Sequence, residues 1–281
     1  MILELDQELG LYPAMERLRH TSSVFPGGEP HIRILDTLDR GTSVKVTHRL
    51  NSFNDLGLLA VAVDALKRMG AGPLDLFVPY FPGARQDRVM VPGEALTCKV
   101  YADLLNAMGF AEVMVFDPHS DVTAAVLDRC RVVPDHAFIR RVVDALPERP
   151  MLISPDAGAV KKAHALATAL GGHYELVECG KSRDVRTGAL SGFQVHAADL
   201  AGRSCLIVDD ICDGGGTFLG LAEELRRKGA GKLYLAVSHG LFSKGTQQLL
   251  RVFDGIYTTD SIRSTGDEGV SRIALRDIIT N

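Results

Sequence analysis

Asp209 and Asp210 are followed closely by Asp213, then by Gly214, Gly215, Gly216 and Thr217. The apolar run Leu206-Ile207-Val208 just before them reads as a buried strand, and a helical pattern begins at Phe218. In open α/β sheets ligands sit at the carboxyl ends of strands. A glycine turn leading into a helix offers unpaired N–H groups to a phosphate, and glycine lets the backbone approach closely. Thr217 adds a hydroxyl and is expected to cap the helix. Carboxylates accept hydrogen bonds from vicinal hydroxyls, so Asp209 and Asp210 suit the 2′ and 3′ hydroxyls of a ribose. The glycines alone would be no more than a helix-capping turn. Strand, paired carboxylates, glycines and helix together describe a binding loop for a ribose phosphate.

Three other clusters could do chemistry. Arg85-Gln86-Asp87-Arg88 follows a strand, and arginine forks match phosphate oxygens. By itself the cluster reads equally as a surface ion-pair knot or an anion site. Phe116-Asp117-Pro118-His119-Ser120 sets a histidine and a carboxylate after another strand, although a lone histidine is often structural. Ile153-Ser154-Pro155-Asp156 opens strand, acidic turn and helix once more.

These clusters need elements to hold them. Strands are expected at 43–47, 74–78, 112–116, 151–154, 205–208 and 232–237, and helices at 56–69, 99–108 and 218–228. Two of the helices finish in bases and then Gly-Ala, at Gly70-Ala71 and Gly229-Ala230, as helix C-termini do. Alternating strands and helices imply parallel sheets covered on both faces. The likeness of the halves implies a repeated α/β domain, joined near Val132-Val133-Pro134-Asp135. Residues 181–194, rich in Gly, Ser and charge, read as a mobile loop or a hairpin.

With 281 residues, 46% of them hydrophobic, the chain can bury two cores. The net charge of −4 and scattered basic residues give no footprint for nucleic acid. The cysteine count is five, odd and without Cys-x-x-Cys spacing, against a disulfide framework or zinc site. No apolar run reaches the ~18 residues of a membrane span, and Met1–Asp6 does not read as a signal peptide. A cytoplasmic protein is expected.

The loop at 209–217 resembles the phosphoribosyl pyrophosphate motif of type I phosphoribosyltransferases. Taken from Phe25-Pro26-Gly27-Gly28-Glu29 to Tyr257-Thr258-Thr259-Asp260-Ser261-Ile262, the chain resembles the ribose-phosphate pyrophosphokinase family, in family order and near family spacing. Pro79-Tyr80 with Arg85-Gln86-Asp87-Arg88, Ser154-Pro155-Asp156-Ala157-Gly158 and the Asp209-Asp210 loop are highly specific as a set.

The resemblance implies an α/β fold of two similar phosphoribosyltransferase-like domains, each a mainly parallel sheet flanked by helices. These would be an ATP-side domain of 1–137, completed by 266–281, and a ribose-phosphate domain of 138–265. Arg85 and Gln86 would hold ATP, with Asp87 shaping their loop. His119 and Asp156 would bind or orient Mg²⁺ and the phosphates. Asp209, Asp210, Asp213, Gly214, Gly215, Gly216 and Thr217 would hold ribose 5-phosphate. Lys181 and Arg183 match the family's catalytic Lys-x-Arg, with His119 beside them in that role. Phe25 and Glu29 would reach the adenine site of a neighbouring subunit in a homo-oligomer, dimer to hexamer.

Four departures stand out. Gly214 takes the place of a threonine and opens space beside the 5-phosphate. Gly27 replaces an Asp or Asn, the segment 89–94 lacks arginines, and Ala159 replaces a glycine. They leave three readings: a divergent ribose 5-phosphate enzyme, one acting on a ribose whose 5-phosphate is substituted, as in ADP-ribose, or a non-catalytic regulatory relative. Retention of Lys181, Arg183, His119, Asp156 and both loop aspartates argues against the last. A true phosphoribosyltransferase would leave the 85–88 cluster and the duplicated domain unexplained.

Overall fold

The computed structural model describes residues 1–183 and 190–279. The chain divides into two compact units, Met1–Pro134 rejoined at Ile279, and Asp135–Ile278.

The first unit runs β1 (Ile2–Glu4), β2 (His20–Val24), β3 (Pro30–Ile34), β4 (Val44–Thr47), α1 (Phe53–Arg68), β5 (Leu74–Val78), α2 (Thr97–Met108), β6 (Glu112–Phe116), α3 (Asp121–Val126) and β7 (Cys130–Val133). Its five-stranded sheet has the order β1-β4-β5-β6-β7, parallel throughout. Successive residues of β5 are almost all apolar because helices cover both faces of a parallel sheet. The buried stripes of α1, at Leu56, Leu59, Val63 and Leu66, and of α2, at Cys98, Ala102 and Leu105, pack into one core with this sheet. Helix α1 starts on a capping box. The Ser52 hydroxyl accepts from Asp55 N–H at 3.3 Å, and the Asp55 carboxylate accepts from Ser52 N–H at 2.7 Å. Strands β2 and β3 form a separate antiparallel hairpin.

The second unit runs α4 (His136–Ala145), β8 (Met151–Ser154), α5 (Val160–Ala169), β9 (Leu176–Arg183), β10 (Leu190–Val195), β11 (Cys205–Cys212), α6 (Gly216–Arg227), β12 (Leu233–Gly240), α7 (Gln247–Leu250), β13 (Gly255–Thr259) and β14 (Val270–Ile273). Its seven strands are ordered β10-β9-β8-β11-β12-β13-β14. All neighbours are parallel except β10 and β9. The segment 181–194 thus contributes the arms of a hairpin, with residues 184–189 outside those described.

The repeat is visible in backbone detail. Helix α1 ends with Ala71 N–H bonded to the Leu66 carbonyl at 3.1 Å and Gly70 N–H to that of Lys67 at 3.0 Å. Helix α6 ends with Ala230 bonded to Leu225 at 3.0 Å and Gly229 to Arg226 at 3.0 Å. Gly70 and Gly229 take φ +84° and +78°, the left-handed turn that closes such an end. Two residues further, a Cβ on Gly72 would stand 2.2 Å from the Gly41 carbonyl oxygen, and one on Gly231 2.1 Å from that of Gly202.

Three expectations need correction. The division falls at Pro134/Asp135, at the join expected near 132–135 but before the domain bound at 137, because His136 opens a helix of the second unit. The segment 266–281 does not simply complete the first domain: Val270–Ile273 pairs with β13 in the second sheet. Thr217 is not the cap of α6; Gly215 is, and Thr217 lies inside the first turn.

Two measurements check this account. Leu59 is fully buried in the first core, so Leu59→Ala should cost about 2–5 kcal/mol in urea unfolding. Beside the ends of β1 and β4, burial alone would raise the Asp6 carboxyl, but the hydrogen bond with His48, its charge and the Arg49 amide hold it below its ordinary 3.8. A depressed carboxylate stabilises the fold above its unfolded pKa and loses that contribution as pH falls through its folded pKa. Asp6→Asn should therefore destabilise at neutral pH, with the difference from the parent shrinking as pH falls through the lowered folded pKa of Asp6.

Candidate active site

Parallel pairing sets the carboxyl ends of β5 and β6 side by side in the first unit. The loop after β5 anchors itself by burying Phe81 and Ala84. It then bonds back onto the start of α2 through Cys98 N–H to the Gln86 carbonyl at 3.2 Å. Arg85, Gln86 and Arg88 are exposed, whereas the Asp87 side chain is only 6% exposed. Burial would raise the Asp87 carboxyl, yet its neighbours Ser120, Arg88 and His119 hold it below 3.8. Asp87 thus ties the arginine loop to the β6–α3 turn carrying His119, which is itself exposed. The two clusters read separately from sequence are one patch. The turn's Asp117, the carboxylate noted beside His119 in the sequence, is buried, with φ +37°; Ser120 carried no signal there beyond its place after His119.

The hairpin turn between β2 and β3 carries Phe25 and Glu29. Phe25 N–H donates to the Glu29 carbonyl at 2.9 Å, and the Phe25 ring, 54% exposed, tilts against His31. A Cβ on Gly27 would lie 2.6 Å from a Glu29 carboxylate oxygen. The absent side chain at 27 is what lets Glu29 fold over the turn.

In the second unit, β9, β8 and β11 are adjacent and parallel, so their following segments emerge along one edge. Asp156 follows β8. Its carboxylate accepts from Ala159 N–H at 3.1 Å, and Ser154 Oγ donates to its carbonyl at 3.1 Å. Alanine at 159 keeps the amide this turn uses. Lys181 and Arg183 lie on β9 beyond its pairing with β8; their side chains fall outside those described.

Strand β11 runs on through Cys212, four residues beyond the expected end. Asp209 and Asp210 are therefore strand residues with side chains on opposite faces. Asp209 is partly exposed, and Asp210 only 7% exposed. From sequence the two stand equal at the sugar; the pleat makes Asp209 the more accessible. After Cys212 the chain turns at Gly215, whose φ of +77° suits glycine. The first intrahelical bond of α6 is Leu219 N–H to the Gly215 carbonyl at 3.0 Å. The amides of Gly216, Thr217 and Phe218 precede it and lie in the turn where N–H groups lack helical partners.

The segment after β12 braces this loop. Ser243 N–H donates to the Asp213 carbonyl at 3.1 Å and Ser243 Oγ to its carboxylate, while Leu241 and Phe242 N–H groups reach the Cys212 carbonyl at 2.9 and 3.1 Å. Cys212, fully buried and beside Asp209 and Asp213, is pushed up to about 12, chiefly by desolvation. It stays a neutral thiol, a packing group rather than a nucleophile. Sequence reading missed Ser243 because only the return of β12 beside β11 brings it to Asp213.

A model of the phosphoribosyl transferase domain matches residues 137–271, and one of the N-terminal domain of ribose phosphate pyrophosphokinase matches residues 3–109. The ribose-phosphate pyrophosphokinase of Thermococcus kodakarensis is 33% identical over 263 residues, 89% of this chain and 87% of that one. The protein of that name from Mycoplasma pneumoniae is 34% identical over 257 residues, 87% of this chain and 76% of its own. The crystal structure of phosphoribosylpyrophosphate synthetase from Mycobacterium smegmatis shares the fold, with a TM-score of 0.84 at 24% identity, covering 99% of this chain and 95% of that one. Identity at this level along almost the whole length establishes that the chain belongs to the ribose-phosphate pyrophosphokinase family.

Proposed function

We propose that the chain transfers the diphosphoryl group of ATP to the anomeric hydroxyl of ribose 5-phosphate, giving phosphoribosyl pyrophosphate and AMP. The observation that carries this reading is the loop from Asp209 to Thr217. A partly exposed carboxylate at the end of β11 leads into a glycine turn and three first-turn amides, a cradle for a sugar hydroxyl and a phosphate. Asp209 and Asp210 orient the ribose, and Asp213, Gly214, Gly215, Gly216 and Thr217 enclose the 5-phosphate.

The anomeric oxygen forms a bond to the β-phosphorus, the bond from that phosphorus to the α-phosphate oxygen breaks, and the hydroxyl proton is released. Such a transfer needs positioning and charge stabilisation above all. Arg85 and Gln86, exposed on a loop braced by Asp87, bind the nucleotide phosphates. Lys181 and Arg183 stabilise the charge of the moving group, and His119 hydrogen-bonds the triphosphate. Among the described residues no three His, Cys, Asp or Glu side chains group as a metal cage. Mg²⁺ is usually held by one or two carboxylates with waters and substrate phosphates, which suits Asp156; the family resemblance adds His119 as a group that would bind or orient the metal and the phosphates. When bound, Mg²⁺ neutralises part of the triphosphate charge.

Phe25 and Glu29, on an exposed hairpin turn, are suited to meet the adenine of a neighbouring copy, which makes a homo-oligomer part of the reading. No helix among the described residues is long and apolar enough to cross a membrane, and all five cysteines are free thiols. Both features support a setting in the reducing cytoplasm.

Incubation with ATP, Mg²⁺ and ribose 5-phosphate should release AMP stoichiometrically with phosphoribosyl pyrophosphate. Turnover with ADP-ribose alone would reject this acceptor, and turnover with neither would reject catalysis. Lys181→Ala should lower kcat by about 10²–10³-fold, as loss of a charge-stabilising group does, with AMP release under saturating substrates as the readout. Unchanged turnover would remove Lys181 from the mechanism.

A further inference from the structure

The space beside Gly214 is not empty. A Cβ built on Gly214 would meet Lys244 Cδ and Cε at 3.3 Å and Cγ at 3.6 Å. The aliphatic stem of Lys244 therefore lies where a side chain at 214 would stand, and its ammonium is one bond beyond Cε. The backbone fixes where the Lys244 side chain starts. The 241–245 turn is held to the phosphate loop by the Leu241, Phe242 and Ser243 amides, and closes through Gly245 N–H to the Phe242 carbonyl at 2.8 Å. Phe242 itself takes φ +48°, an uncommon conformation for a bulky residue, and its buried ring sits in the core of the second unit. Lys244 is exposed, and among the described residues its ammonium makes no hydrogen bond or ion pair.

We propose that Lys244 is a phosphate-binding and specificity-determining residue of the acceptor site, donating its ammonium to the 5-phosphate from the side of the loop that Gly214 leaves bare. The inference rests on the acceptor reading above and deepens it. A threonine at 214 would offer one neutral hydroxyl; glycine there admits a lysine that offers a full positive charge. Charge-assisted hydrogen bonds to phosphate are about twice as strong as neutral ones. The acceptor class that gains most is a terminal phosphomonoester, which carries close to two negative charges on one group near neutral pH. A 5-phosphate esterified further carries one charge on that group and would have to displace the Lys244 stem to extend past Gly214. The space at Gly214 and the stem of Lys244 thus form one feature of the loop.

The pairing is tested by steady-state kinetics of AMP release on Lys244→Ala, Lys244→Arg, Gly214→Thr and the double variant Gly214→Thr/Lys244→Ala. Lys244→Ala should raise KM for ribose 5-phosphate about tenfold or more, leave KM for ATP unchanged, and flatten the rise of the acceptor KM with added salt. Lys244→Arg should keep most of the affinity. Gly214→Thr alone should also raise that KM, because the new side chain meets the lysine stem. The double variant should bind better than the product of the single effects predicts. An unchanged acceptor KM in Lys244→Ala, or additive effects in the double variant, would overturn the proposal. If the parent protein turns over no acceptor, the function reading fails separately. Calorimetric binding of ribose 5-phosphate to the parent and Lys244→Ala then decides the role of Lys244, equal affinity overturning it.

Discussion

In a parallel sheet all the strands run one way, so all their carboxyl ends open along a single edge. Chain returning to the opposite edge crosses the face of the sheet, usually as a helix. Both main sheets are built on this pattern, and the groups at their strand ends depend on it. In the first unit the β5 and β6 ends stand together, so Asp87 can bind the arginine loop to the His119 turn. In the second, the β9, β8 and β11 ends stand together, with Asp156 and the glycine loop on neighbouring strands. Within the two main sheets, one pair departs from the rule, β9 with β10, and Lys181 and Arg183 lie on the stretch of β9 that faces β10.

The exposed groups proposed to face ligand are braced by buried neighbours. Asp87 is nearly buried while Arg85 and Gln86 beside it are open. Asp213 is gripped by Ser243 through both backbone and hydroxyl, and Leu249 packs 3.2 Å from where a Cβ on Gly215 would stand. A phosphate cradle made of backbone N–H groups works only if the backbone does not move when charge arrives. Neighbouring segments fixed by the sheet supply that stiffness. The helices α1 and α6 are closed by the same glycine turn, and Gly72 and Gly231 are each pressed against a second glycine's carbonyl. The duplication thus reaches to individual hydrogen bonds.

Much of this was legible in the residues. The apolar runs at 74–78, 112–116 and 151–154 became strands with those bounds, because continuous apolar stretches between turn residues have few other uses in an α/β protein. The Gly-Ala ends of two helices fixed their stops. Less legible were the edges: β1, β7 and β14 are short, and pairing to a neighbour defines them more than their own pattern. The extension of β11 through Asp209, Asp210 and Cys212 was hidden because carboxylates are unusual in a buried strand. They are held there by the register with β12, from Asp209 opposite Val237 to Cys212 opposite Gly240.

The sequence by itself determined the chemistry on offer: a ribose-phosphate loop, a pair of arginines, a histidine and a lysine-arginine pair, in an order that resembles one family. Covalent order carries residue types and local spacing, and these suffice for strands, helices and loops. Only the tertiary structure decided which of them meet. Asp209 and Asp210 were parted by the pleat, Thr217 was moved from cap to first turn, and residues 270–273 were drawn into the second sheet. Lys244, thirty residues beyond Gly214, came to lie on it. Such contacts arise from strand register and loop return across the sheet, which act between distant residues and leave no local trace in the chain.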